Sequence, residues 1–294
     1  MGGSQQLACA LARTVRETGG NIELNAAPRQ ICVEAGRVTG VETESGDLLR
    51  AGLVVSSLNP QQTFLELLDA RYVPQQWRQQ AEQYHYNLLA PLFALYVNLD
   101  APPHYQAAEH TPHLDEALMV ILGLDRVEQF HEILLHHEKG TFPPSVLWGS
   151  CPTRFDPSQA PPGQHTAFMW EKLPYKLHAE AGHWDQLKRD HGQKLLKTWQ
   201  QYAPNLAASA GDWFTQSPLD TERTLVNMRY GDLLVGSFDR GQIGYHRPFP
   251  GAGHYRGHLP GLYLCGSSCH PGGNITGLPG YNCAQVLRAD LRLN

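Results

Sequence analysis

Hydrophobic and polar positions alternate along the chain in stretches that read as short elements. Leu7, Leu11 and Val15 recur at a spacing of four behind Ser4, which predicts a helix with Ser4 at its N-cap and Gly19-Gly20 as its stop. Short strands follow at 21–24, 30–34 and 37–43. The last two form a hairpin around Ala35-Gly36, with a further turn at Ser45-Gly46 and a short apolar strand at 53–56. The pattern turns helical and polar over 64–83. Strands are predicted at 89–99, 117–123, 146–150 and 166–171, with a helix at 126–137. Pro-rich stretches at 142–144 and 156–162 read as loops. Leu187, Leu195, Leu196 and Trp199 lie at helical spacing in a predicted helix over 184–202. The middle of the chain thus reads as a sheet with helices on one side, and the whole as an α/β protein with α+β elements.

The 294 residues carry 28 acidic and 23 basic side chains, a net charge of -5, which speaks against nucleic-acid binding. The longest apolar stretch, 88–99, falls short of the ~20 residues a membrane span needs. The apolar run at 7–11 is too short for a signal peptide, so a cytoplasmic protein is expected. None of the cysteines (Cys9, Cys32, Cys151, Cys265, Cys269, Cys283) sits in a CxxC pair, which favours free thiols. His131, His136 and His137 share a predicted helix without a ligand spacing, and no HExxH occurs; no metal site is expected. Tyr96, Phe168 and Trp170, with Phe93, read first as core and second as the wall of an apolar pocket.

The most informative stretch is 261–287, GLYLCGSSCHPGGNITGLPGYNCAQVL. It reads as a buried strand at 262–265, a loop with Gly266, Gly272, Gly273 and Gly277, and a helix over 279–293 with Ala284, Leu287 and Leu291 on one face. Glycines let main-chain N–H groups approach a ligand closely, and the helix start adds partial positive charge. Such a place suits a phosphate or an electron-rich ring.

These residues resemble the C-terminal flavin-contacting motif of the phytoene-desaturase-like FAD oxidoreductases, most of all the branch named pyridine nucleotide-disulphide oxidoreductase domain-containing protein 2. The resemblance extends to Gly2-Gly3-Ser4 and the following helix, to Gly36–Val41 and Leu53–Ser56, to the loop from Phe155-Asp156-Pro157 to Gly163, and to Arg247-Pro248. It implies the C-terminal part of a glutathione-reductase-type flavoprotein. A partial FAD-binding domain would span 1–65 and 225–294, and a sheet-and-helix substrate domain 66–224. It also implies hydride transfer from an apolar or amphipathic organic substrate to FAD. Gly266, Ser267, Pro271, Gly272, Gly273, Ile275, Thr276 and Gly277 would lie along the flavin. His270 is the candidate for orienting substrate, and Tyr245, His246 and Arg247 are candidates for lining its pocket.

The family opens with a GxGxxG turn that grips the ADP half of FAD, and no GxGxxG occurs in these 294 residues. The expectation is therefore the C-terminal half of an FAD enzyme, with a second polypeptide supplying the dinucleotide-binding unit. Peripheral membrane contact and homo-oligomers remain open. The alternative is a flavin-free binding or assembly protein that keeps the fold.

Overall fold

The structure, a computed structural model, describes residues 2–239 and 241–293. In chain order its main elements are α1 (Gln5–Glu17), β1 (Pro28–Glu34), β2 (Arg37–Thr43), β3 (Leu48–Arg50), β4 (Val54–Ser56), α2 (Gln75–Glu82), β5 (Leu92–Leu99) and β6 (Val120–Leu122). There follow α3 (Gln129–Lys139), β7 (Leu147–Ser150), β8 (His165–Lys172), α4 (His183–Tyr202), α5 (Leu206–Ser209), β9 (Ala210–Gln216), α6 (Pro218–Thr224), β10 (Leu262–Leu264) and α7 (Leu278–Asp290). They fall into two units, 1–22 with 91–224 and 23–90 with 225–294.

The first unit is built on a five-stranded antiparallel sheet in the order β6-β7-β8-β5-β9. Alternation along the strands gives it two different faces. Phe93, Leu95, Val97, Ala167, Met169 and Leu147 are buried in one core with Trp184, Leu195, Leu196 and Trp199 of α4. On the other side Tyr96 pairs with Phe168 and Phe214, and Trp148 with Trp170, across neighbouring strands. Tyr96 stacks on Phe214 at 4.8 Å, and Phe168 lies 4.6 Å from Trp170. Phe93 is thus core, whereas Tyr96, Phe168 and Trp170 are only half-buried.

In the second unit β1, β2 and β3 form an antiparallel meander, and β4 pairs in parallel with β10. Phe64, Trp77 and Phe249 pack edge-to-face in its core. The domain boundaries expected from the sequence differ from this division at two segments. Residues 66–90 group with the second unit, where Trp77 packs on Phe64, 5.1 Å away. The N-terminal helix groups with the first unit, where the Gly2 N–H donates to Asp156 at 2.7 Å.

Several elements also differ. No strand forms at 21–24, and Leu24 is left exposed. The helical stretch at 64–83 is broken into turns at 62–66 and 70–72 and then α2, because Asp69 caps one turn and Pro74 starts the next. Strand β9 carries little sequence signal: Gly211 and Asp212 lie near its start, and both are poor strand formers. Ser4 holds the N-cap position of α1, but its side chain makes no capping bond. The covered face of α7 runs through Cys283, Val286 and Leu287 and leaves Ala284 exposed.

Candidate functional site

Strands β4 and β10 are only three residues each, but all of β10 is buried. The Val54 N–H donates to the Gly261 carbonyl at 2.8 Å and the Cys265 N–H to the Ser56 carbonyl at 2.9 Å, so the pairing runs to the carboxyl ends of both strands. In parallel sheets the crevice beyond those ends is where ligands bind. Here it holds an open cleft of about 340 Å³, at the small end of the ~300–1,000 Å³ typical of small-molecule sites. Its lining comes from three places: Ser57 after β4, Asn227, and the loop into α7 from Cys265 to Gly280.

Glycine is required twice in this loop. A Cβ on Gly266 would lie 2.0 Å from the Ser57 carbonyl oxygen, so no other residue lets the two strand ends close up. Gly272 has φ 108 and faces the Phe238 ring, which a Cβ would meet at 2.6 Å. The loop is tied down by the Tyr255 hydroxyl, which donates to the His270 carbonyl at 2.8 Å and accepts from Asn282 of α7 at the same distance.

The start of α7 is nearly used up by the chain itself. Leu278 N–H donates to Thr276 Oγ1, Tyr281 N–H to the Gly277 carbonyl, and Pro279 has no N–H. The Gly280 N–H, at the cleft, has no hydrogen-bond partner among the described residues.

Of the residues expected to hold a cofactor, Gly266, Ser267, Gly273 and Gly277 line the cleft. Pro271, Gly272, Ile275 and Thr276 belong to the same loop but do not line it; Ile275 points outward at 81% exposure. His270 is exposed and also outside the lining. The expected substrate trio does not converge. Tyr245 is exposed and lies against His246, ring centres 4.3 Å apart.

Arg247, expected at a pocket wall, does not line this cleft. It is fully buried and donates to the carbonyls of Leu234, Val235, Gly236, Ser237, Gln242 and Ser267 at 2.9–3.4 Å. Phe238 stacks on its guanidinium at 4.2 Å. The clamp holds a strained loop, since Val235 is β-branched yet sits at φ 51. Buried Asp232 accepts from the Leu234 and Gly236 N–H groups, and the Tyr84 hydroxyl, kept protonated by burial, donates to Val235 O. Through Ser267 the same guanidinium braces the cleft wall. Sequence reasoning missed Ser57 and Asn227; nothing near Asn227 marks it, because strand register and chain path bring it to the cleft.

The thiols beside the cleft are not nucleophiles at neutral pH. Burial pushes Cys269 and Cys283 up to about 12 and raises Cys265. All six cysteines are free, and Cys9 is the exposed one.

No family model matches the chain. Among curated proteins it is similar to the rat protein named pyridine nucleotide-disulfide oxidoreductase domain-containing protein 2, with 30% identity over 99% of this chain and 51% of that protein. Its relatives fit the chain to the C-terminal part of the phytoene-desaturase-like FAD oxidoreductase family. A limonene dehydrogenase subunit of Castellaniella defragrans is 27% identical over the whole chain and 55% of that protein. A neurosporene-forming phytoene desaturase of Cereibacter sphaeroides is 25% identical over 95% of the chain and 51% of that protein. The chain therefore spans about half the length of the curated relatives it matches. In structure it resembles cyclohexylamine oxidase of Brevibacterium oxydans, with a TM-score of 0.55 at 12% identity, over 99% of this chain and 53% of that one. Among the described residues no helix is long and apolar enough to cross a membrane.

Proposed function

We propose that this chain is the C-terminal half of an FAD-dependent dehydrogenase or desaturase. It would move a hydride from an apolar or amphipathic organic substrate to flavin, with the ADP-binding unit supplied by another polypeptide. The observation that carries the reading is the cleft beyond the ends of β4 and β10, with the obligatory Gly266 in its wall and the unshared Gly280 N–H. These residues fit the ring-bearing end of FAD: close main-chain approach on one side, and a helix start that favours electron density on the other.

When bound, FAD supplies the two-electron acceptor. The chain's own contribution is to hold it. Gly266, Ser267 and Gly273 give it a main-chain wall, Gly280 offers an N–H, and Arg247 keeps that wall rigid from behind. His270, on the outer side of the loop, is the candidate for orienting substrate. The half-exposed aromatic face of the first unit suits an apolar organic substrate. Two relatives are named for such reactions, one as a limonene dehydrogenase subunit and one as a phytoene desaturase, and the word subunit favours an assembly of chains.

The test is flavin binding. Titrating the purified chain into flavin should quench flavin fluorescence and shift its visible spectrum. Affinity for FAD should rise when a GxGxxG-bearing polypeptide from the same source is added. A chain that binds no flavin, alone or with that polypeptide, is the flavin-free assembly protein of the alternative reading.

A further inference from the structure

The parallel sheet at the cleft has one closed edge and one open edge. The outer side of β10 is taken: the Gly257 N–H donates to the Leu262 carbonyl and the Leu264 N–H to the Tyr255 carbonyl, both at 2.8 Å, and Arg256 bridges to Tyr263. The outer side of β4 is not. The Val54 N–H and the Ser56 carbonyl face β10, bonded to Gly261 and Cys265. Alternation along the strand then turns the N–H and carbonyl of Val55, which lies between them, to the other side. Among the described residues no strand pairs there, and no further main-chain hydrogen bond involves Leu53 or Val55. Val55 is 42% exposed. The edge is short, but Leu53, Val54 and Val55 carry neither the charge nor the proline that commonly blunts an exposed strand. All-parallel sheets are ordinarily buried inside larger α/β folds.

Direction narrows what can complete this sheet. A GxGxxG turn stands at the carboxyl end of its strand. To serve the cleft beyond β4 and β10, a strand bearing that turn has to run the same way as they do. The far side of β10 is occupied, which leaves the place beside β4. Neighbouring strands lie ~4.8 Å apart, so the turn would stand next to Ser57 at the cleft wall. Resting on the split-enzyme reading above, we infer that the free edge of β4, at Leu53 and Val55, is the docking edge for the second polypeptide, which adds its GxGxxG-bearing strand parallel to β4. The relatives support that occupant over a second copy, since the chain spans about half their length. Copies paired edge to edge about a twofold axis would also run antiparallel, with their clefts at opposite ends.

The full chain is tested with the GxGxxG-bearing polypeptide from the same source, by co-purification and by hydrogen exchange. V55P removes the outward N–H; proline is tolerated on an edge where the N–H faces away from the ladder, so the bonds between β4 and β10 are kept. V127K, at an exposed apolar residue of the first unit, is the control. V55P is expected to weaken the complex by about tenfold or more, the loss of one or two neutral hydrogen bonds, and V127K by less than about twofold. In the wild-type chain the amides over 53–57 are expected to exchange about tenfold more slowly once the partner is added, a readout that does not depend on V55P folding. A complex that V55P leaves as tight as wild type, or that leaves 53–57 unprotected, overturns the inference while the split-enzyme reading stands. So does a wild-type homodimer that V55P disperses, which would give the edge to a second copy. If the GxGxxG-bearing polypeptide does not bind wild type, the split-enzyme reading falls and this one with it.

Discussion

Arg247 offers the sharpest test of how the site is held. Replacing it with Met keeps most of the buried stem but removes the donors and the charge. The three shortest contacts go to the carbonyls of Ser237 at 2.9 Å, Leu234 at 3.0 Å and Ser267 at 3.1 Å. Hydrogen bonds from a charged donor contribute ~1.5–3 kcal/mol each, so these three gross ~4.5–9 kcal/mol. Against this, the native state bears the cost of keeping a guanidinium out of water, several kcal/mol, which Met does not incur. The net loss expected for R247M is therefore about 2–4 kcal/mol. R247K should fall between, because one ammonium cannot stand in for two terminal nitrogens, Nη1 on Ser237 and Nη2 on Leu234 and Ser267. Urea unfolding followed by tryptophan fluorescence measures it, with Trp77 in the same unit as reporter. Limited proteolysis should show new cleavage within 232–239 in R247M. A stability change below about 0.5 kcal/mol, with that segment still protected, would refute the clamp and return Arg247 to the role of an ordinary buried side chain.

Three further outcomes follow from the same packing. G266A should destabilise the fold by about 1–3 kcal/mol, as overpacking against a main-chain oxygen does, whereas G273A meets only the Ser267 side chain at 3.0 Å and should cost less; equal effects by urea unfolding would contradict the strand-end argument. Arg256 first, and then the Tyr263 hydroxyl, hold the Asp290 carboxyl below its usual range, so its contribution to stability is present above the unfolded value of about 3.9 and is lost as pH falls through the lower folded value. D290N should therefore lower the urea midpoint at neutral pH and flatten its fall below about pH 4. With Cys269 and Cys283 buried and held protonated, Ellman's reagent should find its fast thiol at exposed Cys9, and C9S should remove that fast phase.

Much of the architecture was legible from period alone. Alternation in 166–171 and the four-residue recurrence in 184–202 report burial on one side of a strand and one face of a helix, and both elements formed. What failed had physical reasons. Strand β9 is specified by its neighbour β5, with Phe214 opposite Tyr96, and not by its own Gly and Asp. The break at Pro74 was readable but was outweighed by the polar helical pattern around it. At the site, the glycine loop could be read because glycine spacing is local. Ser57 and Asn227 could not, since they meet only after β4 and β10 pair across some two hundred residues of chain. Arg247 was legible as important but not as buried: an arginine beside a proline looks the same in sequence whether it meets a ligand or six carbonyls.

That difference bears on where the charge of a dinucleotide is handled. The buried Arg247 guanidinium is committed to main-chain oxygens, and the cleft lining holds no charged side chain among the described residues. A pyrophosphate placed there could be met by main-chain N–H groups such as those of Gly266, Ser267, Gly273 and Gly280, but by no charged side chain of the lining, so part of its charge would stay uncompensated. The cleft consequently suits the neutral end of FAD better than its charged middle, for which a cation or further N–H groups would come from outside the lining. In the proposed assembly a GxGxxG turn fills that need with glycine N–H groups and a fresh helix start. The isolated chain should then bind riboflavin and FAD alike, and only the assembled protein should prefer FAD. A strong preference for FAD by the chain alone would place a phosphate site on this half and remove the physical reason for a second polypeptide.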